Sequence, residues 1–143
     1  ISYTESPRDF SAVNVRNTKH ILLVDDSLIV RKSVSRALAA GGFVLELAEN
    51  GVMGLEMMQA RMYDLVLLDI QMPMMDGLEA AKRLRRFESD LSNRHQNIVG
   101  ISAFSTDQVR SDALCAGMDG FIEKPFKVGA LLKICRSCGF PLD

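Results

Sequence analysis

The stretch ILLVDDS at residues 21–27 carries the pattern that decides the fold. Residues 21–24 form a compact apolar run, which is typical of a strand buried on both faces of a parallel sheet. Ser27 follows as a candidate helix N-cap. Apolar residues then recur on one helical stripe, at Val30, Val34, Ala37 and Leu38. A buried strand that leads directly into an amphipathic helix predicts a β-α-β unit.

The same alternation continues along the chain. Strands are predicted at residues 21–24, 43–47, 65–68, 98–101 and 120–122. Helices are predicted after Ser27, Asn50, Asp76 and Thr106, and from about Val128. Five strands alternating with five helices indicate an α/β fold, a doubly wound parallel sheet covered on both faces. The second strand alternates in character, so we expect it at an edge, and residues 87–96 are predicted to form a long polar connection.

The length of 143 residues suits one hydrophobic core. Residues 1–18 are polar and lack a sustained period, so they are interpreted as a tail or linker, and residues 19–143 as the folded domain. Lys and Arg number 17 against 18 Asp and Glu, which gives no electrostatic case for nucleic acid or an anionic membrane. No apolar run approaches the roughly 20 residues that span a bilayer, so we expect a cytoplasmic domain, although it could be tethered to a membrane sensor.

The three cysteines are Cys115, Cys135 and Cys138, and an odd number of cysteines argues against a disulfide framework. Cys135 and Cys138 form a C-x-x-C pair, but neither histidine has a ligand-like spacing to it. Because positions three apart share one helix face, we interpret the pair as buried helix thiols.

Polar residues stand at the carboxyl ends of the predicted strands, where open α/β sheets place their sites. They are Asp25, Asp26, Asp69, Ser102 and Lys124. With the strand order 2-1-3-4-5, all of them converge on one cleft. Carboxylates crowded together repel each other, and a hard cation such as Mg²⁺, or Mn²⁺ in its place, relieves that repulsion. One carboxylate could then attack phosphorus, with Lys124, the Ser102 hydroxyl and the backbone N–H near Ala103 as donors to phosphoryl oxygens.

Four motifs give the chain a family resemblance from about Lys19 to Cys138. They are ILLVDDS at 21–27, DLVLLDIQMPMMDG at 64–77, ISA at 101–103 and GFIEKPF at 120–126. The chain resembles a response-regulator receiver domain, most closely the receiver module of a hybrid histidine kinase. The resemblance implies a flavodoxin-like fold and a phosphoacceptor role for Asp69. It assigns the metal to Asp26, Asp69 and the Gln71 backbone carbonyl, with Asp25 acting mainly through water, and it implies a cis Lys124–Pro125 bond.

The resemblance also implies a switch. The phosphoryl group would draw the Ser102 hydroxyl toward it, and Phe121 would rotate inward. The surface of the fourth helix, fifth strand and fifth helix would then change shape for a partner, and a homodimer could form through it. Gln71 and Phe104 should flank the site, and bulky Phe104 is expected to lengthen the acyl-phosphate lifetime.

The phosphodonor is expected to be a histidine kinase or a histidine phosphotransfer protein. The long connection at residues 87–96 favours a phosphorelay module from a hybrid sensor kinase; a stand-alone single-domain regulator is the alternative. A haloacid-dehalogenase-type phosphatase would need D-x-D after the first strand, where Asp25 and Asp26 are adjacent. A flavin carrier would meet repulsion from the same acids, and a pseudo-receiver would not need them. No ATP-binding element is present, so we expect no enzyme in this domain alone.

Overall fold

A computed structural model describes residues 18–143, so the tail or linker predicted for residues 1–18 lies, apart from Thr18, outside the described residues. The strands are β1 (His20–Val24), β2 (Val44–Ala48), β3 (Leu65–Asp69), β4 (Ile98–Ser102) and β5 (Gly120–Glu123). The helices are α1 (Leu28–Ala40), α2 (Gly51–Ala60), α3 (Gly77–Ser89), α4 (Asp107–Cys115) and α5 (Val128–Cys138). None of these described helices is long and apolar enough to cross a membrane.

The strands form one parallel sheet in the order β2-β1-β3-β4-β5, so the predicted flavodoxin-like topology is confirmed. β2 lies at an edge, as its weaker apolar pattern predicted. Helix starts follow the predicted caps, because the side chains of Ser27, Asn50, Asp76 and Thr106 each accept a backbone N–H from the first turn of their helix.

Alternate side chains of the central strands enter two separate cores, as expected of a sheet covered on both faces. Leu22, Val66 and Leu68 pack under α2, α3 and α4. Ile21, Leu23 and Leu67 pack on the other face, where they meet Leu38 of α1 and Leu131 of α5. Because β3 and residues 21–24 of β1 are buried, the positions at which these strands end are fixed, and those ends carry the acidic residues.

Two predictions of local structure were wrong. The polar connection was placed at residues 87–96, but α3 continues to Ser89. Phe87 packs against the core and Glu88 is buried, where it accepts from Arg85 Nη1 at 2.6 Å, so this polar-looking stretch has a helical inner face. The spacing of Val52, Leu55, Met58 and Met62 predicts one apolar stripe along the second helix, but Val52 and Met62 are exposed, and Met62 lies beyond the end of α2.

The three cysteines are free thiols. Cys135 is fully buried in α5 and Cys138 is half-buried, where its Sγ donates to the Asp119 carbonyl at 3.3 Å. Burial raises the pKa of the Cys135 thiol to about 12. Both residues therefore pack as weakly acidic helix thiols, in line with the interpretation made from their spacing.

Candidate functional site

Three carboxylates meet where β1 and β3 end. Asp25 and Asp26 follow β1 directly, and Asp69 is the last residue of β3. The parallel register pairs Val24 with Leu68, which brings the residues that follow them side by side. One oxygen from each carboxylate lies within 4.8 Å of the others. Asp25 and Asp69 are buried at 0 % and 2 % exposure, whereas Asp26 is exposed, so the cluster opens to solvent on one side.

Two short contacts fix the loop that carries Asp25. Its Oδ1 accepts the backbone N–H of Ser27 at 2.8 Å, which leaves Oδ2 facing the cleft. Arg31, one turn into α1, donates from Nη1 to the Asp25 backbone carbonyl at 2.7 Å. The sequence analysis missed Arg31, since a basic residue inside an amphipathic helix gives no signal that it bonds a backbone oxygen six positions earlier.

Lys124 bridges the two buried acids from the opposite side. Its Nζ lies 3.0 Å from Asp25 Oδ2 and 3.5 Å from Asp69 Oδ1, and its side chain is 18 % exposed. Its backbone N–H donates to the Ser102 carbonyl at 2.7 Å, and the Lys124–Pro125 bond is cis, as the resemblance implied. Burial would lower the pKa of the Lys124 ammonium, but the hydrogen bond to Asp25 and the charge of Asp69 outweigh it and raise that pKa.

Without a cation, the cluster holds more negative charge than Lys124 can neutralise. Burial, and then the charge of Asp25, raise the pKa of the Asp69 carboxyl from 3.8 to about 7, against the opposing effect of Lys124. A hard divalent cation with a preference for oxygen ligands suits this set of carboxylates. The residues present therefore fit Mg²⁺, and Asp25, Asp26 and Asp69 are the side chains that could hold it.

The end of β4 brings further predicted site residues to the same edge. Ser102 is fully buried. Its Oγ donates to Gln71 Oε1 at 3.0 Å and accepts the Phe104 backbone N–H at 3.0 Å. Ala103 is exposed, and Phe104 is 61 % exposed. The loops after β3 and β4 are thus joined through one hydroxyl group.

Phe121 lies on β5 opposite Gly100 of β4. Gly100 and Ser102 are two positions apart on β4 and so face the same side of the sheet, which places Phe121 on that side as well. Its ring is already buried at 8 % exposure in the core under α2, α3 and α4. The Arg110 guanidinium of α4 sits 5.1 Å from the centre of that ring. Phe121 is therefore largely buried in this structure, and its rotation on phosphorylation stays a prediction.

An apolar groove of about 500 Å³ adjoins the cluster. Ile29 of α1, at 79 % exposure, lines this groove. The groove was not predicted, because the helical stripe was assumed to face the core, yet Leu38 alone among the residues of α1 is fully buried. The groove is lined by Ile29, Val30 and Val34 of α1 and by Lys124, Pro125 and Phe126.

A doubly wound sheet with a buried aspartate, two further acids and a lysine at its switch point defines a flavodoxin-like protein with an acidic, cation-binding type of cleft. Residues 21–136 match the family model of the response regulator receiver domain, and the chain belongs to that family. It is 37 % identical over 120 residues to hybrid signal transduction histidine kinase B of Dictyostelium discoideum, covering 78 % of this chain and 6 % of the kinase.

Similarity extends to regulators and to solved structures. Response regulator MprA of Mycobacterium ulcerans is 38 % identical over 117 residues, which cover 82 % of this chain and 48 % of the regulator. The receiver domain of the Arabidopsis thaliana histidine kinase CKI1, complexed with Mg²⁺ and BeF₃⁻, matches with a TM-score of 0.77 and 25 % identity over 89 % of this chain and 94 % of that one.

A further match comes from the co-crystal structure of the Saccharomyces cerevisiae histidine phosphotransfer protein Ypd1 with the receiver domain of Ssk1. Its TM-score is 0.74 at 28 % identity, over 82 % of this chain and 87 % of that one. The curated relatives thus include a hybrid histidine kinase and a response regulator. The chain spans less than half the length of each of these two proteins.

Proposed function

We propose that this domain is a Mg²⁺-dependent phosphoacceptor in a phosphorelay and that Asp69 takes the phosphoryl group from a phosphohistidine. One observation carries the proposal. Asp69, at 2 % exposure, shares a cluster with Asp25 and Asp26, and the Lys124 Nζ lies 3.5 Å from its carboxylate. A nucleophile, a cation site and a fixed positive charge therefore face one small volume, which is what phosphoryl transfer requires of a protein.

The chemical step balances within these groups. A bond forms between an Asp69 carboxylate oxygen and phosphorus, and the P–N bond of the donor breaks. The electron pair of that bond stays on the imidazole nitrogen, which takes up a proton from solvent. Bound Mg²⁺, or Mn²⁺, would neutralise charge on the acids and on the phosphoryl oxygens. Lys124, the Ser102 hydroxyl and the Ala103 N–H would donate to those oxygens, with the Gln71 carbonyl as a further metal ligand.

A direct test uses intact mass after incubation with a small acyl-phosphate donor and Mg²⁺. The wild-type chain should gain one phosphoryl group, and Asp69→Asn should gain none. Asp90→Asn, at an exposed position just after α3, removes a carboxylate elsewhere and should still be labelled. A label retained in Asp69→Asn would refute the assignment of the acceptor.

The donor must reach a nearly inaccessible carboxylate, so it has to cover the surface around it. The apolar groove beside α1 offers such a surface, because Lys124 lines the groove and contacts Asp69. The exposed polar side of α1 carries Lys32 and Arg36, and the helix contains no acidic residue. We infer that a phosphotransfer protein with an apolar patch flanked by acidic side chains docks here, since opposite charges steer and orient such encounters.

Ile29→Glu tests this docking site. With phosphorylated Ypd1 as the donor, the transfer rate should fall at least about tenfold, because a central apolar contact is replaced by a charge. Labelling by the small acyl phosphate should not change, since that donor needs no docking surface. Leu114→Glu, on α4 at 57 % exposure, is the matched control. If Leu114→Glu slows transfer and Ile29→Glu does not, donors dock on α4 instead.

On phosphorylation, movement of Ser102 and Phe121 would change the shape of the surface formed by α4, β5 and α5. A partner or a second copy of the chain would bind that surface. Because the curated relatives are much longer than this chain, its place in a hybrid sensor kinase or in a stand-alone regulator is also a proposal. The hybrid origin rests on the similarity to the Dictyostelium kinase and on the connection between α3 and β4, which runs over residues 90–97.

A further inference from the structure

We propose that the Gln71 side chain is a positioning residue that holds the Ser102 hydroxyl in its unphosphorylated orientation. The inference rests on the proposed function and adds a regulatory element to it. Its basis is the pair of hydrogen bonds at one oxygen: Ser102 Oγ donates to Gln71 Oε1 at 3.0 Å and accepts from the Phe104 backbone N–H at 3.0 Å. Gln71 thereby sets how readily the domain enters the phosphorylated conformation.

A serine hydroxyl has one proton to donate. In this structure Ser102 donates that proton to Gln71 Oε1, and the Phe104 N–H donates to a lone pair of the same Ser102 oxygen. Ser102 is at 0 % exposure, so bulk water does not compete for either bond. The hydroxyl can donate to a phosphoryl oxygen on Asp69 only after it has left Gln71, because both acceptors require the same hydrogen.

The two competing bonds differ in strength. A hydrogen bond between neutral groups contributes modestly, whereas one to an anionic phosphoryl oxygen is about twice as strong. Gln71 is exposed, so its freed carbonyl is rehydrated at once. The hydroxyl therefore favours the phosphoryl oxygen, but the bond to Gln71 lowers the equilibrium constant for that change by about two- to tenfold.

The loop after β4 connects this choice to the output surface. Phe104 lies two residues before Thr106, the N-cap of α4, and its backbone N–H donates to Ser102 Oγ. When the hydroxyl turns from Gln71 to the phosphoryl group, the oxygen moves and the Phe104 amide must follow or lose its partner. Gln71 thus biases both the chemistry at Asp69 and the entry to α4.

The test compares Gln71→Met, which keeps the side-chain length but has no amide acceptor, with wild type. The affinity for BeF₃⁻ in the presence of Mg²⁺ is measured by titration, followed by the ¹H–¹⁵N resonance of Phe104. Gln71→Met should bind about two- to tenfold more tightly. Gln108→Met is the control and should bind as wild type does, because Gln108 is an exposed residue of α4 whose amide, among the described residues, donates to Asp112.

A double-mutant cycle identifies the route of the effect. In a Ser102→Ala background Gln71→Met should change the affinity by less than about 1.5-fold, because no hydroxyl remains to be held. Equal tightening in both backgrounds, or none in either, would overturn the inference. If no variant binds BeF₃⁻, the proposed function fails instead. The inference is then judged from the metal-free protein, where Gln71→Met should shift the Phe104 amide resonance only if Ser102 is present.

Discussion

Replacement of Asp69 by Asn should stabilise the metal-free protein, and more so as the pH rises. The folded chain binds the Asp69 proton more tightly than the unfolded chain, because burial and the Asp25 charge raise the pKa of this carboxyl from 3.8 to about 7. Stability contributed by the protonated acid is therefore present at low pH and is lost as the pH rises from about 4 to about 7. The Asn side chain cannot ionise and escapes this loss.

The size of the effect follows from the same pKa. Each pKa unit corresponds to about 1.4 kcal/mol, so the full difference between wild type and Asp69→Asn reaches about 4 kcal/mol at the most. Roughly 2–3 kcal/mol of it should develop between pH 5 and pH 8, where most of the folded protein releases the proton. Water entry or side-chain movement that relaxes the cluster lowers this difference in unfolding free energy below the bound.

Urea unfolding followed by far-ultraviolet circular dichroism, in a chelating buffer from pH 5 to pH 8, measures the gap in unfolding free energy. Mg²⁺ at pH 8 should then raise the stability of wild type by mass action and raise that of Asp69→Asn less. A gap that stays constant with pH, or a wild type that is the more stable of the two at pH 8, would refute the electrostatic account of this cleft.

The other predictions concern stability and use matched pairs. Gly77→Ala should destabilise by several kcal/mol in the same urea assay, because a Cβ there would lie 2.1 Å from the Asp69 backbone oxygen. Gly129→Ala should be neutral or stabilise by less than about 1 kcal/mol, because no atom of the other described residues lies within 4 Å of the added Cβ. Asp119→Ala should cost about 2–3 kcal/mol, because Asp119 accepts from the Ile98 N–H at 2.8 Å and pairs with the half-buried guanidinium of Arg85. Glu79→Ala, which removes only exposed ion pairs, should cost much less; equal losses would contradict the role given to burial.

Much of the fold could be predicted because its signals are local. The apolar runs at residues 21–24 and 65–68 identify buried strands, and the parallel topology then requires their carboxyl ends to meet. That rule alone brought Asp25, Asp69 and Lys124 together, and the structure places them within hydrogen-bonding or ion-pair distance.

What could not be predicted depends on side-chain contacts that leave no periodic pattern in the sequence. Glu88 looks like a loop residue, yet Arg85 and the Gln96 backbone N–H satisfy its buried carboxylate and extend α3. The contact between Gln71 and Ser102 joins two loops 31 positions apart, so no spacing rule indicates it. The outward apolar surface of α1 arises because α5 and the loop at Lys124 leave part of the helix uncovered, which is a property of packing.

The shallow seating of α1 has a consequence for how such a module diversifies. With Leu38 its lone fully buried residue, the helix presents most of its length as surface that can be rewritten at little thermodynamic risk. Asp25 and Asp26 instead follow β1, and Asp69 ends β3, two strands whose residues are almost all buried. Duplicated copies of the domain could therefore change the partners that they bind while the acidic cluster stays the same. Parallel pathways in one cell would then not exchange signals.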